Sequence, residues 1–114
     1  MPPVSRPPAS EPFRIDARPR AGGATVLAVA GEVDLVSAPE LAAAIAAAGG
    51  GPVVVDLSEV VFMDSSGLNV ILQATRSARA EGWSFAVAPQ LSEPVARLFE
   101  LTAMDGYLPF DGRA

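Results

Sequence analysis

Apolar and polar residues alternate over Phe13-Arg14-Ile15-Asp16-Ala17-Arg18, the period of a strand with one buried face. Ala21-Gly22-Gly23-Ala24 supplies turn chemistry, and Thr25-Val26-Leu27-Ala28-Val29-Ala30 is apolar on both faces. This pairing predicts an edge strand followed by a strand covered on both sides. Ser37-Ala38-Pro39-Glu40 matches a capping box, with proline tolerated in the first turn. Leu41, Ile45 and Ala48 then recur at helical spacing until Gly49-Gly50-Gly51. Pro52-Val53-Val54-Val55-Asp56-Leu57 is a β-branched run suited to an interior strand. A short loop leads to Asp64-Ser65-Ser66-Gly67 and a second helix. Its apolar face is Leu68, Ile71, Leu72, Thr75 and Ala78, with Asn69, Gln73 and Arg76 outside. Trp83-Ser84-Phe85-Ala86-Val87 reads as a strand, Ser92-Glu93-Pro94 opens a third helix that buries Val95, Leu98 and Phe99, and Tyr107-Leu108-Pro109-Phe110 reads as a short edge strand.

A hairpin followed by helix, strand, helix, strand, helix implies an α/β domain with a mixed, mostly parallel β-sheet of four to five strands packed by three to four helices. The 114 residues suit one domain, and half are hydrophobic, mainly Ala, Val and Leu. The expected core is therefore aliphatic. Residues 1–12 hold five of the eleven prolines. They are expected to form a disordered or polyproline-like tail, with the domain spanning residues 13–114.

Absences narrow the chemistry. Without Cys or His the chain has no thiol nucleophile, no disulfide framework and no imidazole base. No metal or cofactor is expected, because no carboxylates cluster in the sequence. The net charge of −5 and the scattered arginines argue against direct contact with nucleic acid. No apolar run approaches the roughly 20 residues that span a bilayer, and the amino terminus has no secretory signal pattern. The expected location is cytoplasmic, with no membrane contact. A serine hydrolase is disfavoured by the missing His, Lys and Gly-x-Ser-x-Gly, and nucleotide-binding glycine motifs are absent. The chain is expected not to be an enzyme.

One segment stands out. Asp64-Ser65-Ser66-Gly67 lies between a strand and a helix, where α/β sheets place ligand and partner sites. A helix cap would account for Asp64 or Ser65, at about 1 kcal/mol. It would not account for Gly67 in the first helical turn, which costs about 1 kcal/mol against Ala unless something must approach closely. Nor does it require two hydroxyls at a helix amino terminus. A phosphoryl group on Ser66 would add roughly −1.5 to −2 charges there. A carboxylate of a partner ~6 Å away, at an effective dielectric of ~20, would be repelled by about 3 kcal/mol per unit charge. That weakens binding by about two orders of magnitude.

Two stretches resemble the STAS domains, and among them the anti-sigma factor antagonists. One runs from Val53 through Asp64-Ser65-Ser66-Gly67 to Leu68, and the other is Gly31-Glu32-Val33-Asp34-Leu35-Val36-Ser37-Ala38-Pro39-Glu40-Leu41. The resemblance covers about residues 13–110. It implies a protein that, unphosphorylated, binds an anti-sigma factor that is itself a serine kinase, and so releases a sigma factor. Phosphorylation of Ser66 by that kinase would end the interaction, and a serine phosphatase would reset it. Ser65 then supports the acceptor, Asp64 and Gly67 frame the loop, and Asp34 matches the acidic position of a second loop. By residue type alone Asp34 is also an ordinary polar residue before a helix. Asn69 stands where many members carry Gly. Met63, read as part of the loop, and Val70 are expected as exposed apolar side chains that either rim the core or dock the partner. The alternative within the family is a STAS module that is never phosphorylated, in a stress-signalling scaffold or a transporter accessory subunit. The expected oligomeric state is monomer or weak dimer.

Overall fold

The computed structural model describes residues 11–49 and 51–111. Strand β1 (Arg14–Arg20) and strand β2 (Ala24–Val33) form an antiparallel hairpin, with Arg14 opposite Ala30 and Arg20 opposite Ala24. Helix α1 (Ala38–Ala47) carries the chain to β3 (Val53–Met63), which lies parallel to β2. Helix α2 (Ser65–Glu81) then leads to β4 (Phe85–Val87), parallel to β3. Helix α3 (Glu93–Leu101) and a 3-10 turn at Met104–Gly106 complete the described chain. The sheet order is β1-β2-β3-β4. This is the mixed, mostly parallel α/β architecture that the element order implies, with β1 at an edge.

The core forms where the apolar face of the sheet meets the helices. Leu27, Val29, Val53, Val55 and Leu57 are buried with Leu41 and Ile45 of α1, Leu68 and Ile71 of α2, and Val95 and Phe99 of α3. Each such side chain contributes about 1.5–3 kcal/mol when fully buried. Thr75 sits among them, and its hydroxyl donates to the Ile71 carbonyl, so burial leaves no unpaired group.

Several expectations need correction. β2 is not covered equally: Leu27 and Val29 are buried, whereas Val26 and Ala28 on the opposite face are half-buried. Each connection advances one strand in the same direction across the sheet, and right-handed crossovers of that kind share a face. β3 runs on to Met63, where a loop was expected after Leu57. It takes up the extra length through two register shifts against β2, between Ala28 and Ala30 and between Gly31 and Glu32. β4 is only three residues, and Trp83 lies outside it. The last strand shrinks to one bridge, Phe110 against Val87.

The tail boundary also shifts. The Glu32 amide donates to the Glu11 carbonyl at 3.2 Å, so the chain is already held to β2 at Glu11. Gly31 has φ +86°, and a Cβ there would fall 2.1 Å from the Pro12 carbonyl oxygen. Only glycine admits that crossing. The rest of the expected tail, residues 1–10, lies outside the described residues.

Candidate functional site

Parallel β2 and β3 end side by side, and their carboxyl ends deliver two loops to one end of the sheet. The Asp64 amide donates to the Val33 carbonyl at 3.2 Å, which ties the second loop to the end of β2. Asp34 and Asp64 thus occupy equivalent places after adjacent strands.

The Asp34 loop is closed by its own side chains. Asp34 Oδ1 accepts from the Val36 amide at 3.0 Å and the Ser37 amide at 3.1 Å. Ser37 Oγ accepts from the Asp34 amide at 2.9 Å. Its single proton faces the Glu32 carbonyl at 2.9 Å and Asp34 Oδ1 at 3.2 Å. The expected capping box is therefore not made. Ser37 holds helical backbone angles and makes no side-chain cap bond, because its hydroxyl is turned inward and spent on the loop. The Ser37 amide above all, and the other donors of this loop, hold the Asp34 carboxyl below its ordinary value of 3.8.

The second loop is shorter. Asp64 is the N-cap of α2, with Oδ1 accepting from the Ser66 amide at 2.8 Å and the Gly67 amide at 3.3 Å. Ser65 is exposed and Ser66 half-buried. Among the described residues neither hydroxyl makes a hydrogen bond within the protein. The cap thus consumes the carboxylate and leaves Ser66 Oγ free at the positive end of a 17-residue helix.

Of the candidate residues, Asp34, Asp64, Ser65 and Ser66 meet at this end of the sheet, and Asn69 lies exposed one turn further along α2. Two others are not surface groups. Met63 is the last residue of β3 and is buried at 5% exposure, so it belongs to the core and not to an exposed loop. Gly67 is buried as well. A Cβ at Gly67 would lie 2.7 Å from Val33 Cγ1 and 2.8 Å from Met63 Cγ, so the close approach it permits is to its own chain. Val70 is half-buried and faces α1.

Other apolar residues replace Met63 at the surface. Leu35 is 74% exposed, Val36 83% and Phe62 47%, all within the ends of β2 and β3 and the loop between Asp34 and Ser37. Leu35-Val36 has a legible signal, an adjacent apolar pair between Asp34 and Ser37, and the hydrogen bonds that close the loop use the Val36 amide but neither apolar side chain. Phe62 has none, because Ser58 and Glu59 make its segment look like a loop. The site joins a free hydroxyl to a small apolar rim, the composition of a surface that docks a protein and is sensitive to added charge. The described residues hold no cluster of three or more groups able to ligate a metal ion, and no helix among them is long and apolar enough to cross a membrane.

Comparison with known proteins converges on one family. The family model described as "Mlab, STAS domain" matches residues 17–109. An anti-sigma-B factor antagonist of Bacillus subtilis is 31% identical over 88 residues, 75% of this chain and 80% of the relative. An anti-sigma-B factor antagonist of Listeria monocytogenes is 39% identical over 79 residues, 67% of this chain and 68% of the relative. The crystal structure of an anti-sigma factor antagonist from Mycobacterium paratuberculosis superposes with a TM-score of 0.68 at 28% identity, covering 93% of this chain and 89% of the other.

Proposed function

The chain belongs to the STAS domain family, and on that premise we propose that it is an anti-sigma factor antagonist switched by phosphorylation of Ser66. In the unphosphorylated state it binds an anti-sigma factor, which is also the serine kinase that acts on it, and so frees the sigma factor. A serine phosphatase restores the binding state. The protein is a cytoplasmic regulator without catalytic activity of its own. The observation that carries this reading is the free Ser66 hydroxyl beside a loop that presents Leu35 and Val36 to solvent.

The geometry also supports an outward effect of such a phosphate. The amides of Ser66 and Gly67 already serve Asp64, so a phosphate on Ser66 gains little from those donors and meets a carboxylate nearby. Its charge bears mainly on the docked partner. Leu35, Val36 and Phe62 supply the apolar contact, and Asp34 and Asn69 the polar edge. Asp64, Ser65 and Gly67 hold the loop in shape, and Val70 lies at its margin.

The test uses the cognate anti-sigma factor kinase, with ATP and the full-length protein. One phosphate should be added, at Ser66. Ser66→Ala should abolish the addition yet still bind the kinase, and Ser66→Asp should bind at least about 50-fold more weakly, in line with charge repulsion of a few kcal/mol. Label on Ser65, or equal binding of the Ala and Asp variants, rejects the switch and leaves the unphosphorylated STAS module.

A further inference from the structure

A groove of 700 Å³ runs between α1 and α2, from Asn69 and Val70, about one turn beyond Ser66, to Glu81 and Trp83 at the far end of α2. This lies within the roughly 300–1,000 Å³ of small-molecule sites. One wall is built from Ala42, Ile45, Ala46 and Gly49, and the small side chains keep α1 from filling the space. Val70 and Ala74 form much of the facing wall, and Trp83 closes the far end. The Trp83 Nε1–H donates to Ser77 Oγ at 3.2 Å, and its ring meets Phe85 edge-on, which fixes the indole in place.

The electrostatics of this groove are one-sided. Among its lining residues Glu81 carries the only formal charge, and it makes no ion pair among the described residues. Glu81 is also the last residue of α2, where the helix dipole already places negative potential. The carboxyl end of α1 arrives at the same place, at Gly49, with no basic residue in its last turn. Arg79, the nearby base on α2, is committed elsewhere: its guanidinium lies 4.9 Å from the Tyr107 ring centroid and donates to the Tyr107 hydroxyl. Among the described residues the groove lining therefore presents the Glu81 carboxylate and the carboxyl end of α1 with no cation of its own, because Arg79, the base in the last turn of α2, lies against Tyr107.

We propose that this groove binds an amphiphilic organic cation, with its apolar body along the helices and its ammonium or guanidinium group at Glu81. Charge complementarity selects that occupant. An anionic amphiphile would meet the same negative end, and a neutral one would leave it unrelieved. Trp83, the only tryptophan of the chain, lies beside the bound group and reports its arrival.

The experiment titrates octylammonium, octanol and octanoate, equal in chain and different in charge, into the full chain at neutral pH, following Trp83 fluorescence. Octylammonium should saturate at least tenfold more tightly than octanol, and octanoate more weakly than either. Glu81→Gln should bring octylammonium to within about twofold of octanol while leaving octanol unchanged. Ala46→Phe, at an exposed position of α1, should abolish binding of all three with the melting transition kept. Equal binding of the three probes, or a preference that survives Glu81→Gln, overturns the proposal. So does a concentration-dependent dimer that Ala46→Phe dissociates, because the groove is then occupied by a second copy. Phosphorylation of Ser66 is not needed for any of these outcomes, so they stand apart from the fate of the proposed switch.

Discussion

Two helices begin at the same end of this sheet with the same residue types and opposite results. Before α1, Asp34 stands three residues ahead of Ser37, and its carboxylate and the Ser37 hydroxyl close a loop upon themselves. Leu35 and Val36 are extruded into solvent as a consequence. Before α2, Asp64 directly precedes Ser65 and Ser66 and caps the helix through main-chain amides alone. In the first loop the serine is buried and its hydroxyl is used. In the second the serines are left over. An Asp–Ser pairing before a helix does not by itself mark a modifiable serine. What marks it is whether the carboxylate reaches the helix amides without the hydroxyl's help.

The largest effect expected from this contrast comes from filling the junction between the loops. Gly67→Val places branched carbon where Val33 Cγ1 and Met63 Cγ already stand within 3 Å of a Cβ, and Val33 is wholly buried. Overpacking of this kind should cost ~3 kcal/mol in urea unfolding. A change below about 0.5 kcal/mol would mean that α2 can lift away from β2 freely, and the two loops would not be coupled through that contact.

A smaller effect separates the two loops directly. Ser37→Ala removes the bridge and leaves the Asp34 amide and the Glu32 carbonyl without that partner, which should cost about 2 kcal/mol. Asp64→Ala removes a cap whose amides are then partly open to water, for about 1 kcal/mol. Chemical denaturation of both variants decides the matter. If Asp64→Ala costs more than Ser37→Ala, the second loop is the more tightly built, and the contrast is reversed.

Much of this could be read from the chain, for physical reasons that also explain the failures. Helix periodicity gave α2 and its buried face, because Leu68, Ile71, Thr75 and Ala78 can only meet a core together. The Asp-Ser-Ser-Gly segment after a β-branched run located the site. Three things resisted. β3 continues past Leu57 through Ser58 and Glu59, polar residues that read as loop but are tolerated where the strand shifts register. Met63 moved from surface to core for the same reason, because an extended strand buries alternate residues that a loop would expose. The role of Ser37 was hidden because capping and loop closure use the same hydroxyl, and only the position of Asp34 three residues earlier decides between them.

The smallest expected effect is a pH dependence of the first loop. The Asp34 carboxylate accepts main-chain donors in the folded protein, with the Ser37 amide dominant, and this lowers its pKa from 3.8. A carboxyl whose folded pKa lies below its unfolded value binds fewer protons when folded, so stability rises with pH across that interval. The contribution is complete above the unfolded pKa, and it is lost as pH falls through the lowered folded value. Asp34→Asn keeps an oxygen for the Val36 and Ser37 amides and removes only the ionisation. The urea midpoints of the natural chain and of Asp34→Asn, followed from roughly pH 5 down to pH 2.5, should draw together as the pH falls. Because Asp34 is partly open to solvent, the convergence will be slight and will shrink further in salt. Parallel midpoints throughout would show that the loop is held by hydrogen-bond geometry alone, with the charge on Asp34 left for a partner to meet.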